Sequence, residues 1–391
     1  MRGIKTLKRA GTFTATLSFI LFVTAPPALA AVSIIEYPVP TVSANLADLT
    51  KGPDGNVWFA EEGVDKVGKI TPNGTITEYS TGITTNSGPE GITTGPDGNL
   101  WFTEGSGVNG GRIGRITTTG TVTEFSTGIT ALDLESITTG PDGNLWFTER
   151  SGNKIGRITT GGTVTEFSTG ISSVAFPVDI TAGPDGNLWF TEEFGPGGTG
   201  NGGVGRITPT GTVTEFGVST SGSSPGGITT GPDGNLWFTE ADGDKIGRIT
   251  PSGVITEFPI ATGSAPEDIV TGPDGNLWFV EGGGNKIGVM SPAGVLLNEY
   301  TIPTANSGPD AITIGADGNV WFTEEQGNNI GKLTGFMPVA ASTSTSGPGA
   351  PDTGFGISHQ NALLTLVAAG LSTVTLAGLA RAMRKYTLAK Q

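Results

Sequence analysis

The chain has 391 residues and a formal net charge of −15, with 65 glycines, no cysteine and one histidine, His359. Without cysteine it has neither disulfides nor thiolate metal sites, and no G-X-Y period accompanies the glycine, which excludes a collagen-like chain. Residues 32–336 hold 13 basic and 35 acidic side chains, a balance of −22, which argues against nucleic acid, whose phosphates need Lys and Arg partners.

Residues 1–30 read as a signal peptide. Arg2, Lys5, Lys8 and Arg9 form a positive region, residues 12–24 an apolar one, and Ala28-Leu29-Ala30 a small-residue cleavage site. The mature chain is therefore expected to start at Ala31 and to be secreted.

Residues 31–336 carry one motif seven times, G-P-D-G-N-L-W-F-T-E in its cleanest copies. The seven tryptophans are spaced 43, 45, 43, 48, 41 and 43 residues apart. A period in the forties built of short β segments predicts propeller blades. In the third unit, strand a covers residues 136–139, strand b 145–149, strand c 154–159 and strand d 163–167. Pro141-Asp142-Gly143-Asn144 makes the a–b turn, with proline presetting φ and glycine free to take positive φ. The segment Ile34-Ile35-Glu36-Tyr37 matches a d strand but precedes the first a strand, and the last unit stops after strand c. The N-terminal strand should therefore complete the last blade and close the ring. The fold class expected is all-β: a seven-bladed propeller of four-stranded blades, plus a C-terminal transmembrane or sorting helix.

The a–b and c–d turns then share one face, and their D-G-N motifs, needed by every blade, read as architecture. The b–c loops and d–a connections share the other. There strand b ends in Glu61, Glu104, Glu149, Glu192, Glu240, Glu281 and Glu324. The second and fourth b–c loops are longer than the rest. Beside the channel, the two residues before the apolar position of strand a are Ala47-Asp48, Glu90-Gly91, Glu135-Ser136, Val178-Asp179, Gly226-Gly227, Glu267-Asp268 and Asp310-Ala311. Six of these seven pairs contain a carboxylate. Asp48, Asp179 and Asp268 are expected at the channel mouth, and Glu267, Glu281, Asp310 and Glu324 as ligands of a hard cation, Mg²⁺ or Ca²⁺.

Residues 337–349 are a Ser/Thr/Gly/Pro linker. Residues 350–391 combine Ala350-Pro351-Asp352-Thr353-Gly354, an uncharged stretch over 361–380 long enough to span a bilayer, and a basic tail, Arg381, Arg384, Lys385 and Lys390. This order resembles a sortase sorting signal of the L-P-x-T-G type, with Ala350 in place of leucine. It implies anchoring to the cell wall or the membrane.

The blade pattern I-T-x-G-P-D-G-N-L-W-F-T-E followed by N-K-I-G-R-I-T resembles that of the virginiamycin B lyase family. The resemblance implies a lyase that opens the streptogramin B ring by eliminating its ester, with Mg²⁺, histidines at the first residue of the d–a pair (Pro-His-x-Ile) in two successive blades, and a glutamate at the end of strand b. The glutamate is present in all seven units. The histidine positions hold Ala47, Glu90, Glu135, Val178, Gly226, Glu267 and Asp310, and His359 lies beyond the propeller. Imidazole suits proton transfer near pH 7; Glu90, Glu135 and Glu267 are the candidate carboxylate substitutes. The reading is of a monomeric, surface-anchored binding module for a small ligand, a cell-wall glycan, a peptide or a cation. The alternatives are a metal-dependent carbon–oxygen lyase using carboxylates and a purely structural or adhesive protein.

Overall fold

The computed structural model describes residues 32–105, 111–196 and 200–336. The expected signal peptide, linker, sorting signal and membrane stretch lie outside them, as do His359 and part of each long b–c loop. Among the described residues no helix is long and apolar enough to cross a membrane.

Seven antiparallel four-stranded sheets are present. Blade 3 runs Leu134–Thr139, Leu145–Glu149, Lys154–Ile158 and Val164–Phe167, as strands a to d. Six blades use consecutive strands. The seventh joins Pro309–Ile314, Val320–Glu324 and Asn329–Thr334 to the N-terminal Ser33–Pro38. Ser33 pairs with Thr334 and Pro38 with Asn329, so the ring closes as its ends predicted.

The apolar core is divided among the blade interfaces. Strand b alternates its side chains, so Trp146 and Leu145/Phe147 leave by opposite faces. Trp101 of blade 2 packs with Leu145 and Phe147 of blade 3, and Trp146 packs with Leu188 and Phe190 of blade 4. Each tryptophan is held on every side. The Trp146 ring stacks on Phe167 at 5.4 Å. Arg157 covers it at 5.5 Å and donates to Pro209 O of the next blade at 3.0 Å. Gly156 lies against the Phe147 ring, where a Cβ would come within 2.1 Å. In blade 6, Val289 opposes Trp278 in the place of a cation, and Phe336 covers that ring at 4.6 Å.

The D-G-N turn fastens this arrangement. Asp142 Oδ1 accepts Trp146 Nε1 at 3.0 Å and Asn144 N at 3.2 Å, while Oδ2 accepts Asn144 Nδ2 at 2.8 Å. Gly143 has φ +74°. The indole bond recurs in all seven blades.

Strand a differs from expectation. It starts two residues earlier, because Leu134 pairs with Glu149 before a register shift that lasts until Ile137. Every blade has this bulge. A bulge removes residues from the ladder and re-aims their side chains. The residues removed are the seven d–a pairs, which belong to strand a itself.

Asp142→Ala leaves the buried Trp146 N–H without its acceptor, a loss of about 1–3 kcal/mol. Denaturant unfolding should show a destabilisation of that size. A change within about 0.5 kcal/mol, typical of a neutral surface substitution, would refute the structural role of the turn.

Candidate active site at the channel mouth

The bulged pairs of all seven blades line one cavity of about 200 Å³. They form two layers. The inner layer contains Asp48, Asp179 and Asp268 from blades 1, 4 and 6. Each carboxylate bonds its own strand and the following blade. Asp48 accepts Leu49 N at 2.7 Å and Ile92 N at 2.8 Å. Asp179 accepts Ile180 N and Ile228 N, both at 2.7 Å, and the Ser136 hydroxyl at 2.6 Å. Asp268 accepts Ile269 N at 2.7 Å and Ile312 N at 2.9 Å. The blades that follow carry Gly91, Gly227 and Ala311 at the matching place. At Gly227 there is no room for more, since a Cβ would come 2.4 Å from Asp268 Oδ1. Burial pushes Asp48 up to about 7, opposed by the Ile92 N–H and reinforced by Asp179. Burial also raises Asp179 and Asp268, the latter aided by its two fellow aspartates. The three aspartates thus tie blades together around the channel.

The outer layer carries the less engaged carboxyls. Burial, followed by repulsion from Glu135, raises Glu90 to about 10. Burial, with Glu267 and Glu325 nearby, raises Asp310 to about 8. Glu267 is raised by burial and by Asp242 and Glu325. Glu135 accepts Arg150 Nη1 at 3.1 Å, and Arg150 Nη2 reaches Glu193 Oε2 at 2.7 Å.

Arg150 was not expected at this site, and Glu193 was expected only as the start of the long fourth b–c loop. The residue just after the strand-b glutamate bonds back to the d–a connection, as in Arg150 N to Asp133 O and Gly105 N to Gly88 O. It therefore stands beside the outer residue of its own blade. Blade by blade the partners are Glu62 with Ala47, Gly105 with Glu90, Arg150 with Glu135, Glu193 with Val178, Ala241 with Gly226, Gly282 with Glu267, and Glu325 with Asp310. Glycine follows where a free glutamate needs space: a Cβ at Gly105 would come 2.7 Å from Glu90 Oε2. This covariation between blades was present in the sequence.

The proposed cation set needs correction. Glu267 and Asp310 line the cavity, but Glu281 and Glu324 do not. All seven strand-b glutamates are fully buried. Alternation places Glu149 on the same face as Leu145 and Phe147, and its carboxyl lies by Glu166 on the outer strand of its own blade. In blade 6 the side chain lies over the glycine of strand c, with Glu281 Oε1 2.9 Å from where a Gly288 Cβ would be. Apart from Glu324, which accepts Asn329 Nδ2 at 3.4 Å, these carboxyls make no hydrogen bond of normal geometry, although the Ser87 and Ser264 hydroxyls stand near Glu104 and Glu281 and oppose their rise. Among the described residues no three carboxylates or histidines converge on one point to hold a metal ion.

The virginiamycin B lyase family model matches residues 29–200 and 198–339. The chain belongs to the virginiamycin B lyase family. A solved streptogramin B lyase is 34% identical with a TM-score of 0.71, covering 78% of this chain and 97% of its own. Virginiamycin B lyase from Staphylococcus aureus is 38% identical with a TM-score of 0.70, covering 78% and 99%. A catalytically inactive histidine-to-alanine form of the Staphylococcus aureus enzyme, solved with quinupristin, is 38% identical with a TM-score of 0.71 and the same coverage. A comparison with curated protein sequences gives no match. No histidine stands among the described residues of this chain.

The buried glutamates predict an unusual pH profile. Burial raises Glu61, Glu104, Glu149 and Glu240 to about 8 and Glu192 to about 9. The folded state then binds more protons than the unfolded one between about pH 4.5 and 8, so stability falls as pH rises through that window. Glu78 and Glu257 are lowered by their Thr, Ser and Lys partners despite partial burial, and their contribution is lost below about pH 4.5. Melting temperature should peak near pH 5 and decline to pH 9, and Glu192→Gln should flatten the decline. A profile level or rising from pH 5 to 9 would contradict the burial of these groups in neutral form.

Proposed function

We propose that this chain is a surface-displayed binding propeller that does not open streptogramin B by elimination. One observation carries the reading: every position that the family resemblance assigns to histidine holds another residue. The inactive histidine-to-alanine lyase solved with quinupristin supports it, since that enzyme loses its activity with one imidazole. The site is the channel mouth, where a ligand meets carboxyl groups in a partly enclosed cavity. Display outside the membrane rests on the two end segments, the signal peptide and the sorting signal with its membrane stretch.

A second reading is favoured by Glu90. Its carboxyl, raised to about 10, is a proton donor at neutral pH, and Glu135 stands beside it. Such a pair is suited to general acid–base work, which would make the protein a lyase that replaces imidazole by carboxylates.

Incubating the purified chain with quinupristin and Mg²⁺ separates the two. Elimination opens the ring without change of mass, whereas hydrolysis adds one water, so chromatography with fragment-ion analysis identifies either product. We expect no ring opening above the buffer rate. Ring opening that disappears in Glu90→Gln would overturn the binding reading in favour of the second.

A further inference from the structure

Every blade buries a strand-b carboxyl group that nothing so far described uses. In blade 3 it is Glu149, 0% exposed, with both oxygens out of solvent and without a hydrogen bond of normal geometry. An ionised carboxylate there would carry an uncompensated desolvation penalty. Its neighbour is a second carboxyl, Glu166 on strand d, within hydrogen-bonding reach. Phe147 and Glu166 lie on either side of Gly156 in the ladders, and Glu149 shares the face of Phe147. Glu166 is engaged on its other side. Its Oε1 accepts Thr130 N at 2.6 Å, and its Oε2 accepts Thr130 Oγ1 at 2.9 Å and Lys154 Nζ at 2.6 Å. Thr130 belongs to the connection that runs into Leu134 and the mouth residue Glu135. Glu166 therefore clips that connection to the outer strand.

The same clip, a Thr or Ser of the connection on the strand-d glutamate, recurs in five further blades. Blade 6, where the outer strand is shifted, has none among the described residues, and Glu299 accepts Lys286 there. Two adjacent carboxyls that both ionise repel each other in a poorly solvated place, whereas one shared proton leaves the pair singly charged and gives it a donor. The charged groups facing Glu149 are Glu166 and Lys154. Blade 4 has Gly203 where blade 3 has that lysine, opposite the strand-b glutamate. Glu192 there faces Glu215 without a lysine at that place.

We propose that in the six clipped blades the strand-b glutamate is a carboxylic acid that donates its proton to the strand-d glutamate, and that this pair is a pH-sensitive latch on the connection leading to the mouth. While the proton is shared, the strand-d carboxylate keeps its bonds to the connection. When base takes the proton from Glu149, a second negative charge stands against Glu166. The pair separates, Glu166 moves from under Thr130, and the connection before Glu135 loosens. The mouth is thus held near neutral pH and freed at alkaline pH, whichever ligand or reaction it serves. Burial raises Glu149 to about 8 and Glu192 to about 9. A raised acid keeps its proton below its pKa and loses it above, so the latch of blade 4 opens at higher pH than that of blade 3.

Peptide-resolved hydrogen–deuterium exchange of the purified chain from pH 6 to 10, corrected for intrinsic base-catalysed exchange, tests the latch. Protection of residues 126–133 should fall by about ten-fold or more as pH rises, and that of residues 168–176 should fall at higher pH. Strand b of blade 3, residues 145–149, should stay protected through the same change. The amide of Glu149→Gln donates to Glu166 but does not titrate. That variant should keep residues 126–133 protected throughout and leave residues 168–176 unchanged. Carbon-13 NMR of the chain labelled at glutamate Cδ reads the proton directly. A group of carboxyls should remain protonated at pH 7, with one fewer in Glu149→Gln. Glutamates that are all ionised at pH 7 would overturn the shared proton. Protection independent of pH, an equal fall in Glu149→Gln, or loss of residues 126–133 only together with strand b would overturn the latch. The wild-type chain decides both points by itself if the variant does not fold.

Discussion

The ring depends on the tryptophan of each blade. Its ring is clamped between its own outer strand and a cation, its N–H is fixed by the D-G-N aspartate, and its face supplies the apolar contact to the next blade. An aromatic ring of this size buries enough area to dominate an interface. Repeating the same contact gives each blade the same angle to its neighbour, and seven such steps close the ring. The three inner aspartates add ties between blades at the channel itself. The arrangement tolerates local loss: blade 6 has Val289 where the others have a cation, and Phe336 supplies the missing cover.

With the angle set at the periphery, the inner strand is free to carry variation. The bulge in strand a removes two residues per blade from the ladder without disturbing the pairs on either side. Those residues can then be Asp, Glu, Gly, Val, Ala or Ser with little consequence for closure. The three inner aspartates are the exception, because each spans two blades through backbone N–H groups. The mouth therefore divides into an inner layer with structural duties and an outer layer without them. The outer layer, with Glu90, Glu267 and Asp310, is where a ligand can be met.

The blades, their number, the closure by the first strand and the architectural role of the D-G-N turn were legible in the sequence, because each is repeated seven times. The channel-lining pairs were legible too, but as the ends of connections. Their true place on a bulge needs the register, which no local pattern of Glu135-Ser136 reveals. The strand-b glutamate misled for a physical reason. It ends a strand at the variable face, which suggested exposure, whereas side-chain alternation turns it along the blade towards the outer strand. Arg150 and Glu193 were missed because they follow that glutamate and looked like ordinary loop residues. Their meaning appears only when the backbone bond from Arg150 N to Asp133 O brings the loop to the mouth.

The two sets of acidic groups answer to pH in the same direction. The strand-b glutamates are buried, and each lies beside a second carboxyl of its own blade, so burial favours their neutral form. Burial raises the mouth carboxyls Asp48, Glu90 and Asp310 as well. Raising pH charges both sets, and the fold moves away from its stability maximum. The two sets differ in access: the mouth carboxyls line a cavity, where solvent can meet their charge, whereas the strand-b glutamates are sealed inside the blade.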